Sequence, residues 1–315
     1  KLSINGETLI DNWSSQEPGD AFFGMGSAPK REKIKFEKRK TYSLEVEYKW
    51  EGRFPAVQIG MQPPDQFDLM EEAINLAKEA DAVVLIAGTN SDWETEGNDR
   101  ANLDLPSNQN ELIETICKLN KNTVVVLNTG SPCEMPWVDN AKAILQCWFP
   151  GQEFGNSLAD ILIGKVNPSG KLPTTFPKKL SDTPAYSTYP GKDLQMDYEE
   201  GLFIGYRWYD RESIEPLFPF GHGLSYTSFE YSNLRAIPPK GDSSVAAFEV
   251  DITNTGDVAG KEVLQGYITV NESQIERPQK ELKKFEKISL EPGETKKVKF
   301  ELSEKDLSFW STENN

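Results

Sequence analysis

The stretch Ala82-Val-Val-Leu-Ile-Ala-Gly88 is an unbroken apolar run of strand length, and it decides the fold class. A segment with helical spacing precedes it over residues 69–80, and a second amphipathic segment follows over residues 110–119. Two further apolar runs and another helical segment continue the alternation over residues 123–127, 143–147 and 156–163. Continuous apolar strands that alternate with helices are typical of a parallel sheet covered on both faces. We therefore predict an α/β fold, a three-layer α/β/α sandwich.

Patterns of the β type precede this region. Leu2 and Ile4 alternate with polar residues, and Asn5-Gly6 is a strong hairpin turn signal. Apolar and polar residues also alternate over 32–40 and 42–48, which predicts half-buried antiparallel strands. A chain that opens inside a hairpin is typical of a piece of a longer protein.

A second β region follows the α/β region. Alternating segments over residues 248–253, 262–269 and 296–302, separated by turn residues, predict a β-sandwich. The segment 165–209 between the last helical signal and this region is rich in Pro, Gly and Tyr, and we expect an ordered surface excursion there. We therefore predict three domains: an N-terminal β region over residues 1–62, an α/β domain over 63–223 and a C-terminal β-sandwich over 224–315.

The composition excludes several classes of function. With 34 Lys plus Arg against 50 Asp plus Glu, the 315-residue chain carries a formal charge of −16, which disfavours nucleic acids and anionic membranes as partners. No apolar run approaches the roughly 20 residues that span a bilayer. The single histidine, His222, excludes histidine-rich metal sites. Three cysteines without close pair spacing argue against a disulfide-stapled secreted module but say little about the compartment, so the localisation stays open, with the cytoplasm favoured over secretion.

The loop after the first buried strand has the best position for chemistry, because ligands of open parallel sheets bind beyond the carboxyl ends of the strands. It carries four acids beside the aromatic ring of Trp93, namely Asp92, Glu94, Glu96 and Asp99. An aromatic ring can stack on a sugar, and a carboxyl group can protonate a glycosidic oxygen. A solvated loop or a calcium site is the alternative, although the Asp-x-Asp-x-Asn-Gly spacing of a calcium loop is missing.

The loop sequence Glu94-Thr-Glu-Gly-Asn-Asp-Arg100, followed by Leu103 and Leu105-Pro106, resembles the acid/base segment of glycoside hydrolase family 3, the β-glucosidase family. Further stretches resemble that family in the same order: Asn128-Thr-Gly-Ser-Pro132, Trp148-Phe-Pro-Gly-Gln-Glu153, Asn167-Pro-Ser-Gly-Lys-Leu-Pro173, Tyr198-Glu-Glu-Gly-Leu-Phe-Ile-Gly-Tyr-Arg207 and Phe218-Pro-Phe-Gly-His-Gly-Leu-Ser-Tyr-Thr227. The flanks resemble the end of a protective-antigen-type β-sandwich insert and a fibronectin type III-like module that lacks its last strands.

The resemblance implies a retaining exo-β-glucosidase that removes terminal non-reducing β-D-glucosyl residues without a cofactor or metal. Glu96 maps onto the general acid/base, whereas the aspartate nucleophile is expected on an N-terminal barrel that this chain does not contain. Glu94 is the alternative acid or a supporting carboxylate, and Trp93 is either a wall of the sugar site or a core residue. Asp99 and Arg100 are expected to hold the loop by an ion pair.

Other expectations concern residues outside the loop. Phe22 and Phe23 are ordinary core aromatics or contacts to the substrate's leaving group, and His222 is a packed, hydrogen-bonded turn residue. The expected partners are a β-glucoside or oligosaccharide and the barrel part of the same enzyme, and a homo-oligomer is left open. A β-xylosidase or other exo-glycosidase, and a non-catalytic carbohydrate-binding or structural assembly, are the competing functions.

Overall fold

The structure, a computed structural model, describes residues 1–14, 16–19, 26–50, 55–62, 68–97, 99–240, 243–273 and 275–310. The chain forms two compact units. The first contains Lys1–Ala101, Pro106–Val125 and Asn140–Ile144, and the second contains Asn102–Leu105, Val126–Asp139 and Leu145–Asn315. The three predicted domains, with boundaries after residues 62 and 223, stay a prediction.

A small antiparallel sheet of order β2–β1–β3 opens the chain. Its strands are β1 (Leu2–Ile4), β2 (Glu7–Ile10) and β3 (Leu44–Val46). Asn5 and Gly6 join β1 to β2 with φ values of 51° and 83°, and two positive φ values in a two-residue turn match the twist of a hairpin. The hairpin prediction is therefore confirmed.

The rest of the N-terminal prediction needs correction. The strand predicted over 42–48 is reduced to β3, and all three of its residues are exposed instead of half-buried. The described residues 32–40 contain no strand. The Glu37 amide donates instead to the Tyr42 hydroxyl at 2.9 Å, and the Phe36 ring meets the Tyr42 ring edge-on at 4.8 Å. A polar-apolar alternation forms a strand only where another strand pairs with it, and here Phe36 contacts Tyr42 instead.

Helices α1 (Leu69–Glu79) and α2 (Gln109–Leu119) pack against each other in the first unit. The Asp68 carboxylate caps α1 by accepting from the amides of Met70 and Glu71, which satisfies two of the free donors at a helix start. The buried residues of α2 are spaced three and one apart along one face: Ile113, Ile116 and Cys117. Both helices confirm the sequence prediction.

The central sheet contains β4 (Val83–Gly88), β5 (Thr123–Asn128) and β6 (Ala143–Gln146) in the order β4–β5–β6. The Lys142 amide donates to the Thr123 carbonyl at 3.2 Å, and the Cys147 amide donates to the Leu127 carbonyl at 2.8 Å. Because the partners advance together along both segments, β5 and β6 run parallel. The predicted α/β alternation of strands and helices is thereby present.

Helix α3 (Phe154–Leu162) follows β6, and the left-handed Gly164 with φ 76° ends its helical path. The predicted surface excursion then contains a short 3₁₀ turn, Leu180–Asp182, and ends in a helix that the sequence pattern did not reveal, α4 (Tyr206–Glu212). The three cysteines are free thiols: Cys117 and Cys133 are buried and Cys147 is half-buried. Burial raises the pKa of the Cys117 thiol.

The C-terminal strands form two antiparallel sheets, β11–β8–β7 and β10–β9. They are β7 (Phe229–Ile237), β8 (Ser244–Asn254), β9 (Gly260–Ile268), β10 (Glu281–Leu290) and β11 (Thr295–Ser303), followed by the short α5 (Glu304–Leu307). One buried cluster draws on both sheets: Val250, Ile252, Leu264, Leu290, Val298 and Phe300. Two sheets that share one apolar core form the predicted β-sandwich.

Candidate active site

The loop that carries the acids begins where β4 ends, and a side chain of α2 fixes that point. The Gly88 amide donates to Gln109 Oε1 at 2.7 Å, and Gln109 Nε2 donates back to the Gly88 carbonyl at 2.9 Å. Gln109 is the first residue of α2. The Gln109 side-chain amide thus bonds the backbone of Gly88 as a neighbouring strand would. It thereby ties the residue before the loop to the residue at which α2 begins.

A compact turn follows at residues 90–94. The Asn90 carbonyl accepts from the Trp93 and Glu94 amides at 3.0 and 2.8 Å, and Asn90 Oδ1 accepts from the Asp92 amide at 3.0 Å. An asparagine side chain that bonds the backbone two residues ahead is a common turn device. The turn directs the following residues back towards the end of β4.

Glu94 is held inside the loop. The Thr89 hydroxyl donates to Glu94 Oε1 at 2.6 Å, and Arg100 Nη1 lies 3.9 Å from the same oxygen. The side chains of Arg100 and Glu94 are only 14% and 15% exposed. Residues at the start and the end of the loop therefore meet on one carboxylate.

This arrangement corrects one sequence interpretation. Arg100 was expected to pair with Asp99, but its carboxylate neighbour in the structure is Glu94. Asp99 is exposed, and between residues that the structure describes no ion pair involves it. The chain turns at Gly97, and the Arg100 guanidinium lies beside the Glu94 carboxylate that faces inward. Apart from its position directly after the strand, no sequence pattern marks Thr89 as part of this site.

Glu96 has a different environment from Glu94. Its side chain is exposed, and no described residue donates a hydrogen bond or forms an ion pair with its carboxylate. The next residue, Gly97, has a φ of 83°, a conformation that other residues adopt only with strain. The chain thus turns sharply at Gly97, and the carboxylate of the preceding residue, Glu96, is exposed to solvent.

The remaining predicted site residues are placed as follows. Trp93 is half-buried, and no described residue accepts a hydrogen bond from its buried indole N–H. Phe22 and Phe23 lie outside the described residues. Among the residues that the structure does describe, no group of three or more His, Cys, Asp or Glu side chains is arranged to hold a metal ion. In that same part of the chain, no helix has the length and apolar character needed to cross a membrane.

His222 lies in a packed turn, as expected. Its amide donates to the Pro219 carbonyl, its carbonyl accepts from the Leu172 amide at 2.8 Å, and its ring stacks on Phe218 with centroids 5.2 Å apart. Burial, and then the positive charge of Lys171, lower the pKa of His222. The one histidine of the chain is a structural residue of this turn.

Comparison with known proteins identifies the family. The family model described as the glycosyl hydrolase family 3 C-terminal domain matches residues 24–226. The chain belongs to glycosyl hydrolase family 3. A second family model, the fibronectin type III-like domain, matches residues 262–315. The predicted membership of family 3 and the fibronectin type III-like module are thereby confirmed, whereas the assignment of residues 1–62 to a protective-antigen-type insert stays a prediction.

Family 3 relatives are similar along most of this chain. A "Beta-glucosidase" of Rhizobium radiobacter is 40% identical over 323 residues, which cover 99% of this chain and 40% of the relative. "Thermostable beta-glucosidase B" of Acetivibrio thermocellus is 48% identical over 248 residues, which cover 78% of this chain and 33% of the relative. The chain therefore spans between a third and two fifths of these relatives' length.

A solved structure agrees with the fold. A β-glucosidase from Kluyveromyces marxianus in complex with glucose has 40% sequence identity and a TM-score of 0.84, over 97% of this chain and 37% of that one. The predicted fold class, an α/β sandwich flanked by β-sandwich modules, is confirmed by this family 3 similarity. The similarity in fold does not by itself assign the acid, so the roles of Glu96 and Glu94 stay predictions.

Proposed function

We propose that this chain is the acid/base-bearing part of a retaining exo-β-glucosidase, which hydrolyses terminal non-reducing β-D-glucosyl residues. The observation that carries the proposal is the contrast within one loop. Glu96 is exposed and has no hydrogen bond or ion pair with a described residue, while the Glu94 side chain is only 15% exposed and contacts Thr89 and Arg100. A general acid must reach the glycosidic oxygen, so the exposed carboxyl group is the better candidate. Relatives named as β-glucosidases support the same reaction class.

The reaction proceeds in two displacements, as retaining glycosidases require. In the first, an aspartate from the part of the enzyme outside this chain attacks C1, the bond from C1 to the glycosidic oxygen breaks, and the Glu96 carboxyl group gives its proton to that oxygen. In the second, water attacks C1 while the Glu96 carboxylate takes a proton from the water, and the bond to aspartate breaks. Glu96 thus begins and ends the cycle protonated.

The test uses the complete enzyme with Glu96→Ala and, as a matched control, Asp92→Asn, which removes the charge of an exposed acid in the same loop. We expect Glu96→Ala to lower the turnover of p-nitrophenyl β-glucoside by about 10²- to 10⁴-fold, the usual contribution of a general acid/base. Added azide should restore turnover and yield β-glucosyl azide, because azide needs no base to attack the glycosyl-enzyme. Asp92→Asn should keep the wild-type rate.

Other outcomes have defined meanings. Wild-type turnover in Glu96→Ala, or a loss that azide does not relieve, rejects Glu96 as the acid/base. Higher kcat/KM for the corresponding β-xyloside than for the glucoside assigns a different exo-glycosidase of the family. Sugar binding without hydrolysis by the complete wild-type protein would establish a non-catalytic carbohydrate-binding assembly.

A further inference from the structure

We propose that Glu94 is a positioning residue for the Glu96 carboxyl group, acting through its contacts with Thr89 and Arg100. The inference rests on the proposed role of Glu96 and adds the element that sets its position. Glu94 does not touch the substrate in this proposal. It fixes the backbone from which Glu96 projects.

The contacts of Glu94 lie on both sides of Glu96 in the sequence. The Thr89 hydroxyl, one residue past the end of β4, donates to Glu94 Oε1 at 2.6 Å. Arg100 Nη1 approaches the same oxygen at 3.9 Å from the other side of the Gly97 turn. One carboxylate oxygen therefore joins the start of the loop to its return segment, with Glu96 between the two attachment points.

The burial of this cluster favours a fixed geometry. Thr89 is 8% exposed, and the side chains of Glu94 and Arg100 are 15% and 14% exposed. Hydrogen bonds between a hydroxyl and a charged carboxylate are stronger than neutral ones, and shielding from water strengthens an ion pair. The base of the cluster is also rigid, because Gln109 bonds both the amide and the carbonyl of Gly88.

Glu94 and Glu96 consequently have complementary roles. Two carboxylates two residues apart in an irregular loop can face different environments, and here one is inside and one outside. The inner carboxylate already accepts a hydrogen bond and neighbours a guanidinium, so it is poorly placed to give a proton to a substrate. The outer one has neither contact among the described residues and is held only through the backbone.

A misplaced acid has a recognisable kinetic consequence. Departure of a poor leaving group needs a proton, whereas 2,4-dinitrophenolate leaves without one. Displacement of a catalytic group by about 1 Å can cost about 10²-fold in rate. Loss of the Glu94 contacts should therefore lower kcat/KM for phenyl β-glucoside and leave kcat/KM for 2,4-dinitrophenyl β-glucoside nearly unchanged.

The experiment compares Thr89→Val, Thr89→Ser and Glu94→Gln in the complete enzyme. Thr89→Val removes the hydroxyl at nearly constant volume, and Glu94→Gln removes the charge that faces Arg100. We expect both to lower kcat/KM for phenyl β-glucoside by about 10- to 100-fold. Thr89→Ser restores the donor and should return most of the activity, and Asp92→Asn serves as the control for charge loss in the same loop.

A double variant tests whether the two residues act together. Thr89→Val with Glu94→Gln should lose little more than Glu94→Gln alone, because the hydroxyl acts through the carboxylate. Tm is recorded for each variant, so that a general loss of folded enzyme is detected.

The outcomes separate this proposal from the assignment of Glu96. Equal losses on both substrates, or no loss on either, overturn the positioning role. If azide rescues Glu94→Ala and not Glu96→Ala, Glu94 is itself the acid/base and both proposals fall. If Glu96→Ala affects the two substrates equally, the proposed function fails whatever the Thr89 and Glu94 variants show.

Discussion

Asn254 offers a sharp test of what stabilises the C-terminal β-sandwich, because its side chain is fully buried and makes four hydrogen bonds. Its Oδ1 accepts from the Thr227 hydroxyl at 2.6 Å and from the Gly256 amide at 3.1 Å. Its Nδ2 donates to the carbonyls of Val258 at 2.9 Å and Leu290 at 3.1 Å. One amide thus connects the end of β8, the turn after it, the end of β10 and the segment before β7.

We expect Asn254→Ala to lower the free energy of unfolding by about 4 kcal/mol. Leu290 is completely buried, so its carbonyl would lose its side-chain donor where water cannot enter, which costs about 2 kcal/mol. The other three partners are partly accessible, and water can replace much of each bond, so each contributes about 0.5–1 kcal/mol. Asn254→Asp should be no better, because a buried carboxylate accepts the same two bonds and cannot donate to the two carbonyls.

The measurement is urea unfolding of the chain followed by circular dichroism at a β-sheet wavelength, with the shift in midpoint multiplied by the unchanged m-value. The matched control is Asn271→Ala, which alters an exposed asparagine in a loop of the same region and should stay within about 0.5 kcal/mol. A loss below about 1 kcal/mol in Asn254→Ala would refute the reasoning, since the four partners would then be satisfied without the side chain.

Two further predictions concern the acidic loop and the pH dependence of stability. Gly97→Ala should strain the loop by about 1 kcal/mol, because the φ of residue 97 is 83°. The added Cβ would meet no heavy atom within 4 Å, so the substitution causes no steric clash. We therefore expect the turnover of the complete enzyme to fall with little change in Tm. Burial and the charge of Lys171 lower the pKa of His222, so the folded state favours the neutral ring. The contribution of this ring to the free energy of unfolding is therefore fully present above the ordinary pKa of 6.5 and declines as the pH falls below it. His222→Phe should remove this decline in stability at low pH. The slope of the decline stays below the limit for one proton, about 1.4 kcal/mol per pH unit. The measurement is the Tm of the wild type and the variant from about pH 7.5 to 5.5. A decline of the same slope in the variant would assign it to other groups.

The α/β elements could be predicted from sequence because their signals are local and strong. The run over 82–88 lies within one residue of β4 (Val83–Gly88), and the helical spacing over 110–119 lies within one residue of α2 (Gln109–Leu119). The spacing of apolar residues, however, does not predict which other segments cover each face of the sheet. Leu85 and Ala87 are buried, while Val84 and Ile86 on the opposite face of β4 are about half exposed, at 49% and 55%. The segment that packs on a face of a strand is distant in the sequence, so a local pattern cannot predict it.

The same limit applies to the N-terminal strands and to the loop. The alternation over 32–40 satisfies the period of a strand, but pairing depends on a second segment that the pattern does not identify. In the loop, the sequence supplies two glutamates and a nearby arginine, and their spacing leaves open which acid the arginine meets. The fold decides it, because the end of β4 brings the Thr89 hydroxyl to Glu94 and the turn at Gly97 brings Arg100 to the same oxygen.

The contacts that place Glu96 have a consequence for the complete enzyme. The bonds of Gly88 with Gln109 and the contacts of Glu94 with Thr89 and Arg100 all join residues of this chain, so they hold the loop around the proposed acid without the rest of the enzyme. Retaining glycosidases hold their two carboxyl groups about 5–5.5 Å apart. Under the proposed function, an aspartate from the rest of the enzyme would have to approach Glu96 to that distance from the exposed side of the loop, because Glu94 and Arg100 occupy the inner side. The proposed function therefore makes the Glu94 contacts a requirement for the spacing of the two carboxyl groups on which retention depends.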